Sequence, residues 1–522
     1  MAPALVDDLC RPEAYPEPRP ARVTRVITHI SWVFLTDREV FKVKRPVDYG
    51  FLDYTTPEKR RRLCEEEVRL NGRLAPDVYR GVVPVRLGPH GHTFLSEGAV
   101  VDHAVRMRRL ADEASADALL RRDALTPLHL ARLAARLARF YADAATAPAY
   151  GVLDVIRGNV EENFAQVEPF VGRFVPRATF EAVRAWQLGI LDRDAGRFGD
   201  RVEHGHIREG HGDLRLEHVY FEEAEPIVID GIEFNERFRM ADVAADVAFL
   251  AMELRARGRL DLAEGFLGGF ALASSDYDLY GVIDFYESYR AWVRGKVAAF
   301  LAADPSTPPD KAARKAGEAE ALFALARRYP EPRAVSAPLI AVGGLIGTGK
   351  STLAAALAEA LAVPVIESDR TRKALAGVPA TGRAPERIYS EDFTRRTFDE
   401  VFRRAEVVLE SGRGVILDAT FRERALRARA RDLARRHGRP FLFVEATCDD
   451  ATLRERLRRR ATGPSISDAT EGLLGRMRRE FQPVTELGPD EHLRVTTTEP
   501  TSAQVESVLG TLGLTRRIPP TS

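Results

Sequence analysis

One short stretch in the second half of the chain restricts the fold more than any other. Gly344, Gly349, Lys350 and Ser351 fit the spacing G-x-x-x-x-G-K-[ST]. An apolar run at 339–342 leads into it, and an Ala/Leu-rich helical pattern at 352–361 follows. A strand, a glycine loop and a helix in that order make a phosphate cradle. The glycines let backbone N–H groups converge on an anion, and the helix N-terminus adds the positive end of its dipole. Lys350 is then the residue that neutralises the β- and γ-phosphates, and the Ser351 hydroxyl is a ligand for Mg²⁺. Gly347 and Thr352 complete the expected phosphate contacts. The motif calls for a nucleoside triphosphate and for the sheet such a loop is built on.

The pattern around the loop supplies that sheet. Strand-like runs at 339–342, 364–367, 414–417 and 441–445 alternate with helical patterns. This implies a doubly wound parallel sheet with helices on both faces, an α/β arrangement. The run at 414–417 ends in Asp418, placed either to organise Mg²⁺ or to cap a strand end. The run at 364–367 leads into Asp369 and Arg372, where Asp369 has a structural alternative as N-cap of a helix at 370–376. Arg456 and Arg460, four residues apart on a helical pattern, share a face ahead of a lid-type segment at 461–468.

At 522 residues the chain is too long for one core, so two or three domains are expected. Lys+Arg and Asp+Glu both total 77, so no global field favours nucleic acid or an anionic membrane. Cys10, Cys64 and Cys448 lack metal-ligand spacing and suggest a reducing compartment. No segment approaches the roughly 18 uninterrupted apolar residues a membrane helix needs, and the first twenty residues lack a signal-peptide core. A cytoplasmic protein is expected.

The first part of the chain reads as α+β. Strands are expected within 22–46, notably 31–35 and 39–44 with a turn at 36–38, and again at 82–87 and 93–95. A helix is expected at 57–74, mostly helical sequence over 112–200, a second β-rich patch at 210–232, and further helices to 328. Pro330, Pro332 and Pro338 then mark a boundary. The expected organisation is a flexible N-terminus (1–21), a first domain (22–328), a linker (329–338), a second domain (339–510) and a tail (511–522).

Three segments of the first domain belong together. Lys42 and Lys44 alternate with apolar residues at 40–44; Cys64-Glu-Glu-Glu-Val-Arg-Leu70 lies on the next helix; His211-Gly-Asp213 precedes Asp230. In this order they resemble the aminoglycoside-phosphotransferase and protein-kinase-like superfamily, over roughly residues 22–300. The resemblance implies a bilobal fold in which a strand lysine holds phosphates and pairs with a helix glutamate. Lys44 is the first choice, Lys42 the alternative, and Glu66 the preferred partner. It further implies that His211 braces the loop, Asp213 accepts the proton of a substrate hydroxyl, and Asp230 holds Mg²⁺. Two departures stand out. His218 replaces the asparagine that ligates a metal in the family, which favours a missing second ion, a shift to Glu217 or Glu233, or Mn²⁺. The glycine-rich phosphate loop is absent, with residues 28–31 in its place.

Residues 335–505 resemble small P-loop kinases, with gluconate-, adenylylsulfate- and polynucleotide-kinase cores nearer than ring ATPases. This implies that Asp369 takes the acceptor's proton, that Arg372 clamps its anion, and that Arg456 and Arg460 reach the transferring phosphate. The whole chain resembles fusions of an aminoglycoside-phosphotransferase-like domain with a P-loop kinase domain. Two ATP-dependent phosphotransferase sites acting on small hydroxyl-bearing molecules are therefore expected, with ATP and Mg²⁺ as cofactors and no nucleic-acid or membrane partner. The alternative is one active P-loop kinase controlled by a catalytically silent, ligand-sensing kinase-like domain.

Overall fold

The computed structural model describes residues 2–50, 52–222, 225–331, 337–382, 385–461 and 471–515. By internal packing the chain separates into two compact units. The first comprises Met1–Leu125, Arg139–Ile156 and Phe198–Leu250; the second comprises Thr126–Ala138, Arg157–Arg197 and Ala251–Ser522. Much of the expected linker, 332–336, and the distal part of the tail, 516–522, lie outside the described residues.

The first unit is built on an antiparallel sheet of six strands: β1 (Thr24–Ile27), β2 (Ser31–Leu35), β3 (Glu39–Lys44), β4 (Tyr79–Gly88), β5 (Gly91–Thr93) and β6 (Ala99–Arg108), in the order β1-β2-β3-β6-β4-β5. The strand β6 was not anticipated. It pairs with both β3 and β4 and places β3 in the sheet interior. The helix Pro57–Asn71 is capped by the Thr56 side chain, which accepts from the Lys59 N–H, and it buries Leu63, Cys64, Glu67, Leu70 and Asn71. These positions recur at three- and four-residue spacing, as one buried helix face requires. Two short antiparallel pairs follow: β7 (Ile207–Glu209) with β10 (Met240–Asp242), and β8 (Val219–Tyr220) with β9 (Ile227–Val228).

In the second unit β11 (Leu339–Gly343) lies at the centre of an all-parallel sheet with β12 (Val365–Glu367), β13 (Val415–Asp418), β14 (Phe441–Thr447) and β15 (His492–Thr496). The order β12-β13-β11-β14-β15 agrees with the expected parallel α/β arrangement and adds β15, which the sequence reading omitted. Every residue of β11 is buried, as a strand covered on both faces must be. Ile340 and Val342 pack with Leu353 and Leu357 of the helix Lys350–Leu361 and with Val505 and Val508 of the helix Thr501–Thr511. The helices Arg424–Arg436 and Glu391–Glu410 pack together and onto β11, β13 and β14.

Edge strand β12 is covered by other helices of the same unit. The Tyr277 hydroxyl donates to the Val365 carbonyl, and Gly268 of the helix Leu260–Ser274 approaches Pro364 so closely that an added Cβ would lie 3.4 Å from its Cα. Arg413, just before β13, bonds Glu264 at 2.8 Å and Asp284 at 2.8 Å. Burial raises the Glu287 carboxyl beside this cluster to about 7 against the pull of Arg255. No helix among the described residues is long and apolar enough to cross a membrane.

Candidate functional site

The P-loop follows from the way β11 ends. Gly343 and Gly344 pass so close to β14 that a Cβ would lie 2.4 Å from the Phe443 ring and 2.4 Å from the Ala446 carbonyl, respectively. Gly347 and Gly349 adopt φ of 81° and 88°, a region costly for residues with a side chain. The loop closes on itself: the Thr348 hydroxyl donates to the Leu345 carbonyl at 2.8 Å, and Lys350 Nζ reaches the same carbonyl at 2.9 Å. Ser351 and Thr352 stand in the first turn of the helix Lys350–Leu361.

Asp418 ends β13 opposite Val342 and is only 6 % exposed. Burial raises its carboxyl to about 6; Lys350 and a hydrogen bond with Ser351 draw it down, while Glu367 and Asp369 push it up. A carboxylate kept so far from water, beside a lysine and a serine hydroxyl, is a site with unmet demand for positive charge. Glu367, which sequence reasoning missed, ends β12 in register with Asp418, pairs with Arg370 at 2.6 Å, and is itself raised by burial. Its signal was available as the last residue of the strand that neighbours the one ending in Asp418.

The helix after β12 spans Ser368–Leu375, so Asp369 lies in its first turn and is not an N-cap; the cap position is Glu367. Arg372 is 7 % exposed, with Nη1 donating to the Ile388 carbonyl at 2.7 Å and to Thr394 Oγ1 at 3.1 Å. The Tyr389 ring lies 5.1 Å from its guanidinium carbon. Its first visible task is to tether residues 386–394, a segment sequence spacing could not connect to it. Arg456 also differs from expectation: both terminal nitrogens bond Thr497 at 2.9 Å, which holds the guanidinium beside the loop. The Arg460 side chain and residues 462–468 of the expected lid segment, 461–468, lie outside the described residues.

In the first unit the lysine and glutamate assignments change. Glu67 lies on the buried helix face and bonds Lys42 at 3.0 Å and Lys44 at 2.7 Å. Glu66, one position earlier, is turned about 100° around the helix and pairs instead with Arg69 and Arg239. The rule that selected Glu66, its distance from Arg69, found a helix-surface pair. Lys44 is fully buried among Glu67, Glu233 and Tyr54. Lys42 is slightly open, at 11 %, and joins Glu67 to Asp230. Both lysines therefore bond the helix glutamate Glu67, and of the two it is Lys42 that faces the Asp230 carboxylate. Burial would raise the Glu67 carboxyl, but Lys42 and Lys44 hold it below the usual range.

Asp230 has a φ of 64°, in the left-handed region that Asp tolerates better than most residues. Its N–H donates to the Tyr79 hydroxyl at 3.1 Å, and the Gly231 N–H donates to Asn71 Oδ1 at 2.7 Å. His211 is 4 % exposed; burial and neighbouring His218 lower its basicity, and Nε2 donates to the Ile229 carbonyl at 2.9 Å. Asp246 accepts from the N–H groups of His211 and Gly212 at 2.6 and 2.9 Å, which fixes the loop carrying Asp213. Asn71, Tyr79 and Asp246 carried no motif signal because they act through loop backbone.

His218 lies between the two aspartates. Its Nδ1 donates to the Asp213 carbonyl at 2.8 Å, while Nε2 faces Asp230 at 3.6 Å and Glu217 at 3.7 Å. Residues 28–31, in the place of a glycine-rich loop, form a closed turn: the Thr28 N–H donates to the Ser31 carbonyl, and Thr28 Oγ1 accepts from the Ser31 N–H, both at 2.9 Å.

Comparison with known proteins bears chiefly on the P-loop part. A family model described as an AAA domain matches residues 339–484, the P-loop region. The chain is similar to protein Rv2004c of Mycobacterium tuberculosis strain H37Rv and to Mb2027c of Mycobacterium bovis. Each is 33 % identical over 419 residues, covering 78 % of this chain and 80 % of the relative. Among solved structures, a gluconokinase from Sinorhizobium meliloti 1021 matches at 22 % identity, TM-score 0.26, over 35 % of this chain and 94 % of its own. An APS kinase from Mycobacterium tuberculosis matches at 21 % identity, TM-score 0.26, over 35 % and 99 %.

Proposed function

We propose that this chain, which belongs to the same family as the Mycobacterium tuberculosis protein Rv2004c, is an ATP-dependent phosphotransferase with two nucleotide sites, acting on hydroxyl groups of small polar molecules. The observation that carries the reading is the convergence of Lys350, Ser351 and buried Asp418 at the C-terminal end of a parallel sheet. That is where open α/β sheets bind ligands.

The donor set at this site fits Mg²⁺, since Ser351 and Asp418 offer hard oxygen and the carboxylate is short of positive charge. Held there, the ion would neutralise negative charge on the phosphates. The chain's own residues do the rest. Lys350 and the loop N–H groups orient the triphosphate, and Asp369 takes the acceptor hydroxyl's proton as the oxygen attacks the γ-phosphorus, whose bond to the β,γ-bridging oxygen breaks so that ADP leaves. Arg372, by holding residues 386–394, shapes the acceptor side.

Residues 22–328 are proposed as the aminoglycoside-phosphotransferase-like domain. The Lys42–Glu67 pair, Asp230 and the Asp213 loop support this reading. Asp213 is its candidate base and Lys42 its candidate phosphate ligand. Asp230 offers oxygen for one ion, but His218 offers imidazole where a second Mg²⁺ would need oxygen, so Mn²⁺ is the alternative there. The same histidine supports a second reading, in which this domain binds a ligand without transferring phosphate and controls the P-loop site.

Nucleotide titration of the full chain separates the two readings: two equivalents of bound ATP are expected for two kinases, one for the sensor. An ATP-consumption screen over sugars, amino alcohols, nucleosides and aminoglycosides tests the acceptor class. No consumption with any of them, alongside normal ATP binding, would remove the small-molecule assignment.

A further inference from the structure

The residue after β15 sits against the P-loop from outside. Thr497 is 7 % exposed, and its hydroxyl donates to the carbonyl of Thr348, inside the loop. The same oxygen accepts from Arg456 Nη1 at 2.9 Å, while Arg456 Nη2 donates to the Thr497 carbonyl at 2.9 Å. The Thr497 N–H donates to the Thr447 carbonyl at 2.9 Å, which anchors the whole group to the end of β14.

We propose that Thr497 and Arg456 form a latch that sets the P-loop for nucleotide, with both acting as positioning residues. The inference rests on the P-loop reading above and deepens it. Its physical basis is the planarity of the peptide bond. In a trans peptide the carbonyl of one residue and the N–H of the next point in opposite directions. Fixing the Thr348 carbonyl toward Thr497 therefore directs the Gly349 N–H the other way, so one outside hydrogen bond orients a donor of the phosphate cradle.

Packing keeps the latch in place. A Cβ on Gly349 would lie 3.1 Å from Arg456 Nη1 and 3.2 Å from Thr497 Oγ1, tighter than most real contacts. A Cβ on Gly347 would lie 3.1 Å from Leu457. Leu453 and Leu457, on the same helix as Arg456, pack with Ile346, and Leu345 packs at the edge of that cluster. The helix Asp450–Ala461 thus grips the loop by an apolar contact on one side and the Arg456 fork on the other. The geometry of that fork is specific to arginine, whose planar guanidinium can address two oxygens of one residue; an ammonium cannot match both.

The test measures binding of a fluorescent ATP analogue with Mg²⁺ to the full chain, counting as P-loop signal the part that Lys350→Ala removes. Thr497→Val is expected to weaken that part roughly threefold to tenfold, the range a net hydrogen bond spans. Thr497→Ser should restore it, a rescue that a bulk packing role would not produce. Arg456→Met and Arg456→Lys should each weaken it similarly, and Thr497→Val with Arg456→Met together should be little worse than either alone. Wild-type affinity in both Thr497→Val and Arg456→Met, or strictly additive losses, would overturn the latch while leaving the P-loop reading intact. No loss with Lys350→Ala would instead overturn the P-loop reading. Should Thr497→Val fail to fold, Thr497→Ser and the two Arg456 variants still decide: unchanged affinity in both Arg456 variants overturns the proposal.

Discussion

Asp418→Asn should make the nucleotide-free protein more stable while harming its function. The carboxyl titrates at about 6 against a usual value of 3.8, chiefly because of burial and despite the attraction of Lys350. At 1.36 kcal/mol per decade of proton affinity, ionised Asp418 costs the folded state about 3 kcal/mol relative to its protonated form. Asparagine mimics that neutral form and can keep a hydrogen bond with Ser351. The sign follows from linkage: with its folded value above its unfolded one, Asp418 lowers wild-type stability as pH rises from about 4 to about 6. The gap between variant and wild type should be small near pH 4, open across that window, and level off above pH 7. Calorimetry of the transition that includes β13, at a series of pH values without nucleotide, would read it as a rise of several degrees at pH 8, since about 1 kcal/mol moves Tm by about 2 °C in a unit of this size. Adding ATP and Mg²⁺ should stabilise the wild type more than the variant. A variant equally or less stable than wild type at pH 8 without nucleotide would refute the argument that the buried charge is uncompensated.

Other expectations follow from the same geometry. Lys350→Ala should abolish phosphoryl transfer at the P-loop site with the fold retained, checked by turnover and circular dichroism; unchanged turnover would remove the assignment. Lys44→Met leaves Glu67 and Glu233 buried without their shared cation and should cost about 3–5 kcal/mol. Lys42→Met, at the more open position, should cost less stability and more nucleotide affinity at the N-terminal site; denaturant melts with nucleotide titration compare them, and the reverse ranking would restore Lys44 as the phosphate ligand. Asp369→Asn should depress transfer at least tenfold with ATP and Mg²⁺ affinity near normal, the pattern of a lost base; a matching loss of Mg²⁺ affinity would merge its role with that of Asp418. His218→Asn should retain or raise Mg²⁺-dependent activity at the N-terminal site and lower any preference for Mn²⁺, measured by metal titration. Loss of all activity would give the histidine an essential role of its own.

The amino-acid pattern alone determined the parts of this protein that depend on local chemistry. Gly344, Gly349, Lys350 and Ser351 are adjacent in sequence because a phosphate loop is a local object, and the β11 and β13 runs were legible because fully buried strands read as continuous apolar sequence. Asp418 could be placed because it ends such a strand. The helix face that selects Glu67 over Glu66 was also present in the periodicity of Leu63, Cys64, Leu70 and Asn71, though proximity to Arg69 pointed elsewhere. What tertiary structure decided were pairings across long separations and contacts made through backbone. Strand β6 contributes neighbours to β3 and β4 that no spacing rule specifies. Lys42 rather than Lys44 faces Asp230, 188 residues away, while Lys44, two residues further along the strand, is taken up by Glu233 and Tyr54. Asp246 holds the Asp213 loop through N–H groups, and Thr497 holds the P-loop through a carbonyl 149 residues earlier. Backbone groups are the same at every position, so a residue whose partner is backbone leaves no trace in the partner's sequence, and only the fold brings the two together.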